Sequence, residues 1–459
     1  MRKKRDQFDS IAPIDYRYWD EEVAQYFSET GFLRYKLLVE RALIRTLCRH
    51  GVCSKSVAKE IERACTRVAP QEVYTEEGRI KHDIRALVNV IRSKVSDAAK
   101  PYVHLTATSY DIIDSANALR FKEVLQHVLV PKLIALEKTL IKVVRKEAET
   151  VQVGRTHGQH AVPVTFGFAL AGYVSRLGKS IEELQTRAHT LAGKFSGAVG
   201  AYNASTLLFK NPETFERDVL TELGLAPAEH STQIAPPEPL VRLLCEVAVV
   251  MGIVANLADD MRHLQRTEIG EVGELFEPDQ VGSSTMPHKR NPIHFENAKS
   301  MWKIVMPRLI TVFMDQISEH QRDLTNSASA RTYGEMIGYT VVTIKRVEGA
   351  MKQLVVDRSN LKRNFALQKG MTAAEPLYII LASLGHPDAH EKVRLLTLEA
   401  ERTHQPLEEV IRHDSDMKNY LKRMTLQQRA MLTTPELYTG IAAKKAKAIA
   451  DTWGKKLKL

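Results

Sequence analysis

Hydrophobic side chains recur at intervals of three and four residues over long stretches of the chain. The repeating positions in 125–144 are leucine and valine, and those in 244–264 are leucine, valine, methionine and alanine. Such spacing gives a helix one apolar stripe, so it predicts long helices packed side by side. Pro131 interrupts the first stretch and, because proline lacks a backbone N–H, predicts a kink or a helix start there.

Polar segments with proline and glycine separate these stretches, and strand-like alternation is scarce. The pattern predicts an all-α protein with a central helix bundle, divided into domains at 1–105, 106–355 and 356–459. Loops are expected in the second domain at 150–166, 197–214, 229–240 and 268–295. Apolar stripes on several helix faces need partners, which copies of the same chain usually supply, so we expect a homo-oligomer.

The composition is that of a globular protein, with 44% hydrophobic and 26% charged residues. A formal net charge of +10 favours an anionic partner, which can be nucleic acid, a membrane surface or a polyanionic metabolite. No recognition-helix, RNA-recognition or zinc-finger pattern occurs, so nucleic acid is not the expected partner. The lysines clustered near the C-terminus are interpreted as a solvated helix face.

The cysteines stand apart in the sequence, without the spacing of metal ligands, which is typical of a reducing compartment. The charged N-terminus precedes no apolar run, and no uncharged apolar stretch reaches the ~18 residues of a membrane span. We therefore expect a cytoplasmic protein with no membrane partner. Nothing in the sequence points to a metal or an organic cofactor.

The string GSSTMPHKRNP at 282–292 combines groups suited to acid–base chemistry on an anion. Its glycine gives backbone freedom to a loop that closes over substrate and excludes water. Lys289 is a cation, and Asn291 can donate hydrogen bonds to a carboxylate. A serine hydroxyl acts as a base only where backbone donors or a helix N-terminus stabilise its alkoxide.

This string resembles the GSSxMPxKxNP signature of the fumarase/aspartase superfamily, whose members release fumarate from a succinyl-bearing substrate. The resemblance implies that Ser283 removes the Cβ proton and that Lys289 and Asn291 hold a substrate carboxylate. A proton beside a carboxylate is very weakly acidic, so the charge that its removal creates needs cations and donors already in place.

A second string, GRTHGQ at 154–159, resembles the segment that carries the general acid of the superfamily. The resemblance makes His157 that acid, and imidazole titrates near neutrality, so it can protonate a leaving nitrogen at physiological pH. Related cycloisomerases carry tryptophan at this position, so His157 argues against a cycloisomerase.

The string HLTATSYD at 104–111 is similar to the HxGxTSSD segment of the superfamily. The resemblance implies that Thr108 and Ser109 bind a substrate carboxylate and that His104 assists them. Thr106 stands where glycine is usual and Tyr110 where a second serine is usual, so the geometry of this turn is expected to differ from the family pattern.

Further strings resemble the adenylosuccinate lyase branch of the superfamily. Arg17 and Tyr18 match an arginine–tyrosine pair that contacts the nucleotide phosphate, His82 and Asp83 match a pair near the purine, and Gln233 matches a substrate-binding glutamine. Two strings match without an assigned role: GKFSGAVG at 193–200 and RHLQRTE at 262–268.

The segment 319–331 resembles WHERDISHSSxER, which places Arg322, Ser327 and Arg331 at positions that bind the nucleotide and its phosphate. Arginine suits this role because its planar fork bonds two phosphate oxygens at once. Departures from the family pattern leave the reaction chemistry untouched but bear on substrate identity; they are at Gln321, Asn326, Ala328, 333–336 and Pro237.

The resemblance implies a three-domain, all-α fold whose long helices assemble into the core of a homotetramer, with each site shared between subunits. It implies elimination of fumarate from adenylosuccinate, giving AMP, and from the succinylated aminoimidazole carboxamide ribotide of purine biosynthesis. One alternative is a lyase acting on another succinyl-amine such as argininosuccinate, which Arg17, Ser327 and Arg331 disfavour because they imply a phosphate. A non-catalytic structural relative is another, against which the intact catalytic pair argues.

Overall fold

A computed structural model of the chain describes residues 12, 14–276, 279, 282–286, 288–368 and 370–459. Pro287 of the 282–292 string and the first eleven residues of the predicted 1–105 domain lie outside this part of the chain. About two thirds of the protein is helical, which confirms the all-α prediction.

The α-helices, in chain order, are α1 (Ile14–Arg17), α2 (Glu21–Phe27), α3 (Glu29–Arg49), α4 (Lys55–Cys65), α5 (Pro70–Ile80), α6 (Asp83–Arg92), α7 (Ser109–Val124), α8 (Val130–Lys146), α9 (Phe166–His189), α10 (Pro212–Glu222), α11 (Glu238–Leu264), α12 (Ile293–Val305), α13 (Arg308–Met314), α14 (Tyr333–Lys352), α15 (Arg358–Ala366), α16 (Ala374–Ser383), α17 (Ala389–Thr403), α18 (Leu407–His413), α19 (Met417–Arg423), α20 (Leu426–Thr433) and α21 (Ala442–Lys456). Short 3₁₀ segments lie at Lys100–Tyr102, Ser205–Leu207, Ser329–Thr332, Met371–Ala373 and Pro435–Leu437.

Short strands form three two-stranded pairs in the described residues. They are β1 (Val151–Thr156), β2 (Gln159–Thr165), β3 (Ala192–Gly193), β4 (Ala226–Pro227), β5 (Val272–Gly273) and β6 (Val355–Val356). β1–β2 and β5–β6 are antiparallel, and β3–β4 is parallel. The loop predicted at 150–166 was therefore wrong, because the β1–β2 hairpin occupies it.

Pro131 does mark a change of helix geometry, as its missing N–H predicts. A π-helical turn, Leu125–Leu129, separates α7 from α8, which begins at Val130, the residue before the proline. A π turn inserted into an α-helix changes the direction in which the following side chains point. The apolar stripes of α7 and α8 can therefore face different neighbours.

The chain divides into two compact units. Unit 1 comprises the described residues of 1–133, 180–252 and 300–345, and unit 2 comprises those of 134–179, 253–299 and 346–459. The division into three domains made from the sequence stays a prediction.

In unit 1, α3 packs against α4 and α7. Its N-cap is Ser28, whose hydroxyl accepts from the backbone N–H of Gly31, and a stripe of apolar side chains on the helix is fully buried. In unit 2, the helices α16 to α20 share one core. Its buried members include Leu377, Leu381, Leu396, Leu407, Ile411 and Met417.

Among the described residues, α11 is long and apolar enough to cross a membrane. More than half of its apolar stretch is buried inside the protein, as in the core helix of a bundle. The helix begins at Glu238, with Pro239 in its first turn, close to the start that the proline-rich segment before Leu240 predicts.

Candidate active site

His157 lies at the tip of the β1–β2 hairpin in unit 2. The two-residue turn consists of His157 and Gly158, whose φ angles are +54° and +73°. Positive φ at both central residues is the geometry that matches the twist of a tight hairpin, and glycine serves the second position at no steric cost. The turn leaves the imidazole exposed, and among the described residues it has no hydrogen-bond partner.

The hairpin is anchored by Glu271, a fully buried carboxylate that the sequence reading did not single out. Arg155 forms an ion pair with it at 2.5 Å, Gln152 donates to it at 2.7 Å and Asn364 donates at 2.9 Å. The carboxylate oxygens are thus well supplied with donors, as a buried charge requires. Gly154 permits the close approach of the strands, because a β-carbon there would lie 2.5 Å from the carbonyl oxygen of Val162.

The 282–292 loop, also in unit 2, closes on itself. A β-carbon on Gly282 would lie 1.9 Å from the carbonyl oxygen of Lys289, so only glycine fits. The side-chain amide of Asn291 donates to the carbonyl oxygen of Gly282 at 3.0 Å, and Lys289 is exposed. Asn291 thus closes the loop with one amide hydrogen and retains the other for a ligand.

Ser283 has the environment that a serine base needs. Its Oγ accepts from the backbone N–H of Met286 at 3.1 Å and from that of Thr285 at 3.4 Å. Two aligned N–H dipoles stabilise negative charge on the oxygen, and therefore the alkoxide form, without any reorganisation of the loop.

Glu274 holds the base of this loop, a role that no motif indicated. Its carboxylate accepts from the backbone N–H groups of His294 and Phe295, the first turn of α12. Gln265, within the RHLQRTE string, accepts from the backbone N–H of Glu274 at 3.0 Å. Acidic residues are favoured at the N-terminal end of a helix, and this preference could have pointed to Glu274. Glu274 lies about twenty residues before α12 in the sequence, however, so the preference could not be recognised there.

In unit 1, Asp111 fixes the turn that carries Thr108 and Ser109. Thr108 is the N-cap of α7, and the Asp111 carboxylate accepts from its backbone N–H at 2.8 Å. The other carboxylate oxygen accepts from the fully buried Lys194 at 2.5 Å and from the backbone N–H of Gly197. The GKFSGAVG string therefore holds the residue that fixes the turn of Thr108 and Ser109.

His104 and Thr106 precede this turn and both have left-handed backbone conformations, with φ of +63° and +70°. Thr106 thus takes the conformation that favours glycine, the residue usual in the family pattern. The His104 Nδ1 lies 2.6 Å from a carboxylate oxygen of the buried Glu40. Burial lowers the pKa of His104, but the Glu40 carboxylate outweighs burial and the net shift is upward.

The structure brings three sequence-distant strings together in unit 1. Arg322 donates to the hydroxyl oxygen of Tyr110 at 2.9 Å, and the backbone N–H of Gln233 donates to the carbonyl oxygen of Gln321 at 3.4 Å. Ser231 and Ser196 share a hydrogen bond of 2.6 Å. The turn that carries Thr108 and Ser109, the Gln233 loop and the 319–331 segment therefore meet.

Asp315 organises the part of this segment that departs from the family pattern. Its backbone carbonyl accepts from the amide of Asn326, and its carboxylate accepts from Ser329 and from the hydroxyl of Tyr333, each at 2.6 Å. Two of the unusual residues thus have structural partners. Ser327, between them, is an exposed turn residue that precedes the 3₁₀ segment Ser329–Thr332.

Arg331 forms an ion pair with Glu29 at 2.7 Å, both side chains being largely exposed. Glu29 lines a cleft of unit 1 together with Lys36 and Asp83. Burial raises the pKa of Asp83, but the ion pair with Lys36 at 3.1 Å and the backbone N–H of Ile84 lower it by more, so the net shift of the pKa is downward. Arg331 thus pairs with a residue of the cleft that Asp83 also lines.

The remaining predicted residues lie at helix ends of unit 1. Arg17 ends α1 and is exposed, Tyr18 follows it, and His82 is the N-cap of α6, with its Nδ1 accepting from the backbone of Arg85. The predicted phosphate and purine contacts are therefore in unit 1, whereas His157 and the 282–292 loop are in unit 2.

Comparisons with known proteins identify the family and the fold of the chain. Residues 5–306 match the family described as Lyase, and residues 318–430 match the adenylosuccinate lyase C-terminal family. The chain resembles the solved structure of a 3-carboxy-cis,cis-muconate lactonizing enzyme from Pseudomonas putida, with a TM-score of 0.85, 26% identity and coverage of 98% of this chain and 100% of that one. It resembles a fumarate lyase from Mesorhizobium sp. BNC1 with a TM-score of 0.82, 24% identity and coverage of 95% and 98%.

Curated relatives named adenylosuccinate lyase match nearly the whole chain. The protein from Pyrococcus horikoshii is 38% identical, and the alignment covers 96% of this chain and 98% of that protein. The protein from Archaeoglobus fulgidus is 33% identical with the same coverages, and the one from Aquifex aeolicus is 30% identical over 90% and 94%. The chain belongs to the adenylosuccinate lyase family, within the fumarase/aspartase superfamily of lyases.

Proposed function

We propose that the chain cleaves adenylosuccinate to AMP and fumarate, and cleaves the succinylated aminoimidazole carboxamide ribotide in the same way. The observation that carries the proposal is the pair of backbone N–H groups on the Oγ of Ser283, within the loop that the family shares. These donors favour the alkoxide, which is the form that can remove a proton from carbon.

In the proposed reaction Ser283 takes the proton from the carbon β to the nitrogen. The electron pair of that C–H bond forms the double bond of fumarate, the C–N bond breaks, and its electron pair goes to the nitrogen. His157 supplies the proton that the nitrogen needs to leave as an amine. Lys289 and the free amide hydrogen of Asn291 stabilise the extra charge that develops on the neighbouring carboxylate.

Unit 1 supplies the groups proposed to bind the rest of the substrate. Thr108 and Ser109 bind a carboxylate, aided by His104, whose raised pKa favours the cationic form. Arg322, Ser327 and Arg331, with Arg17 and Tyr18, bind the nucleotide and its phosphate. His82, Asp83 and Gln233 contact the base and the succinyl group. Arginines and backbone turns of this kind are suited to an oxyanion ligand.

We also propose that the protein is a homotetramer whose sites combine residues from three subunits. Support comes from large apolar side chains exposed on α13 and just after it, because a single chain leaves them in water. They are Ile310, Phe313, Met314 and Ile317, each at least 51% exposed. Light scattering that shows a monomer, with fumarate release by the same sample, would contradict the proposed tetramer. We also propose a cytoplasmic location, from membership of the adenylosuccinate lyase family.

Fumarate release, measured with each candidate substrate, tests the proposed function. We expect the purified chain to release fumarate and AMP from adenylosuccinate and to leave argininosuccinate intact, because argininosuccinate has no phosphate for Arg17, Ser327 and Arg331. Fumarate release from argininosuccinate but not from adenylosuccinate would reject the assignment and leave the reaction class standing. Release from neither would reject both.

A further inference from the structure

Tyr110 is a bulky residue at a position where the family pattern has serine. It is the second residue of α7, directly after Ser109, and its backbone is fixed by the N-cap that Thr108 and Asp111 form. The side chain is partly buried. A rigid ring therefore projects from the same turn that carries the proposed carboxylate ligands, and the reaction described above gives it no role.

The ring and the hydroxyl of Tyr110 both contact Arg322. The guanidinium carbon lies 4.8 Å from the ring centroid, and Nη2 donates to the hydroxyl oxygen at 2.9 Å. Tyrosine has few rotatable bonds, so a guanidinium held by stacking and by a hydrogen bond has little freedom left. The backbone beside Arg322 is also held, because the carbonyl oxygen of Gln321 accepts from Gln233.

A buried donor of Arg322 has no protein partner among the described residues. Its Nε is buried and has no hydrogen-bond partner among the described residues. A buried guanidinium N–H without an acceptor is unfavourable, and an oxyanion is the acceptor that arginine binds most strongly. The described contacts therefore orient Arg322 and leave its Nε–H without an acceptor, which an anionic group of a ligand can supply.

We propose that Tyr110 is a positioning residue that holds Arg322 so that its Nε–H meets an oxyanion of the substrate, either a carboxylate or the phosphate. The inference rests on the proposed function, because it takes a phosphorylated dicarboxylate as the ligand. It also accounts for the departure from serine, because a serine hydroxyl has no ring on which the guanidinium can stack.

The test compares Tyr110→Phe and Tyr110→Ser with the native chain. Tyr110→Ser removes ring and acceptor, so KM for adenylosuccinate rises roughly tenfold while kcat changes less than about threefold. Tyr110→Phe keeps the ring and gives an intermediate KM. Tyr438→Phe is the matched control, because it removes a tyrosine hydroxyl bonded to Glu375, neither residue being assigned to the site, and leaves KM and kcat unchanged.

A double-mutant cycle separates positioning from a general structural effect. In an Arg322→Ala background, Tyr110→Ser weakens ligand binding by less than about twofold, because the residue that it positions is gone. Additive effects of the two substitutions overturn the inference. Thermal unfolding of each variant shows whether the fold is retained, and Tyr110→Phe carries the test if Tyr110→Ser does not fold.

Calorimetric binding of AMP and of fumarate distinguishes the two oxyanions and does not require turnover. Weaker AMP binding by Tyr110→Ser assigns Arg322 to the phosphate, and weaker fumarate binding assigns it to a carboxylate. Unchanged binding of both overturns the inference. Absence of turnover by the native chain rejects the proposed function alone, because the binding comparison then still decides the role of Tyr110.

Discussion

The backbone of Gly282 lies against the carbonyl oxygen of Lys289, so closely that a β-carbon on Gly282 would lie 1.9 Å from it. We expect Gly282→Ala to force the loop open and to displace Ser283, the next residue. Displacement of a reacting group by about 1 Å lowers turnover roughly 100-fold, so kcat falls by at least that factor while the melting temperature changes little. Fumarate release and calorimetry of the same sample measure both.

Gly78→Ala is the control for that substitution. Gly78 lies within α5, and a β-carbon there meets no atom within 4 Å. The control retains full activity and gains about 0.5–1 kcal/mol of stability, because alanine is the better helix former. Near-native turnover by Gly282→Ala would show that the loop does not need this close approach.

Ser283→Ala removes the proposed base and leaves its surroundings intact. The N–H groups of Thr285 and Met286 then have no side-chain acceptor, but they lie on an exposed loop where water replaces it. We expect kcat to fall by roughly 10²–10⁴, the usual contribution of acid–base catalysis, with unchanged AMP binding. A rate within a factor of about ten of the native rate would reject Ser283 as the base.

His157 permits a substitution that separates chemistry from backbone conformation. Its φ of +54° is tolerated by asparagine but is strained for alanine. We expect His157→Asn and His157→Ala both to lose turnover, whereas only His157→Ala destabilises the hairpin, by about 1–2 kcal/mol. Retained turnover by His157→Asn would show that the leaving nitrogen takes its proton from another group.

The elements that follow from local sequence were predictable, and the contacts between distant strings were not. Three- and four-residue spacing indicates helices such as α8 and α11 because the period belongs to the helix itself. The β1–β2 hairpin was missed because a bulge after Val153 and a proline in β2 interrupt the strand pattern. Within the hairpin, only the turn at His157 and Gly158 has a sequence feature typical of its structure, the glycine at a position of positive φ.

The partners that complete the site are polar residues whose role depends on the fold. Glu271, Glu274 and Asp315 each accept hydrogen bonds from several donors, some of them far away in the sequence. A single carboxylate forms no periodic pattern in the sequence, so its structural role cannot be predicted from spacing. The sequence therefore identified the motif residues and not the groups that hold them. Tyr333 and Asn326 depart from the family pattern, and their role becomes clear only from their hydrogen bonds to Asp315.

The ion pair between Lys194 and Asp111 is fully buried, at 2.5 Å, and joins the GKFSGAVG string to the turn that carries Thr108 and Ser109. Lys194→Met leaves the Asp111 carboxylate buried without its cation, so we expect a loss of about 3–5 kcal/mol and a large fall in melting temperature. The control is Lys447→Met, which breaks an exposed pair with Glu149 and changes stability by less than about 1 kcal/mol. Equal effects of the two substitutions would contradict the burial argument.

Glu137 on α8 is fully buried, and both of its carboxylate oxygens have no hydrogen-bond partner among the described residues. Burial alone raises the pKa of this carboxyl to about 9. We expect Glu137→Gln, which is neutral at every pH, to raise the melting temperature at pH 8 and to leave it nearly unchanged at pH ~4.5, where the native carboxyl is protonated in the folded state and half protonated in the unfolded state.

The sign follows from proton binding. Between the ordinary carboxyl pKa and about 9 the folded chain keeps a proton that the unfolded chain releases, so the stability of the native protein falls as pH rises, by at most ~1.4 kcal/mol per pH unit from this group. The glutamine variant lacks this slope. Glu149→Gln is the control, because its carboxyl is exposed, paired with Lys447 and has a lowered pKa, so no such slope is removed. Parallel pH profiles for the native chain and Glu137→Gln would mean that the carboxyl finds a partner or water in the folded protein.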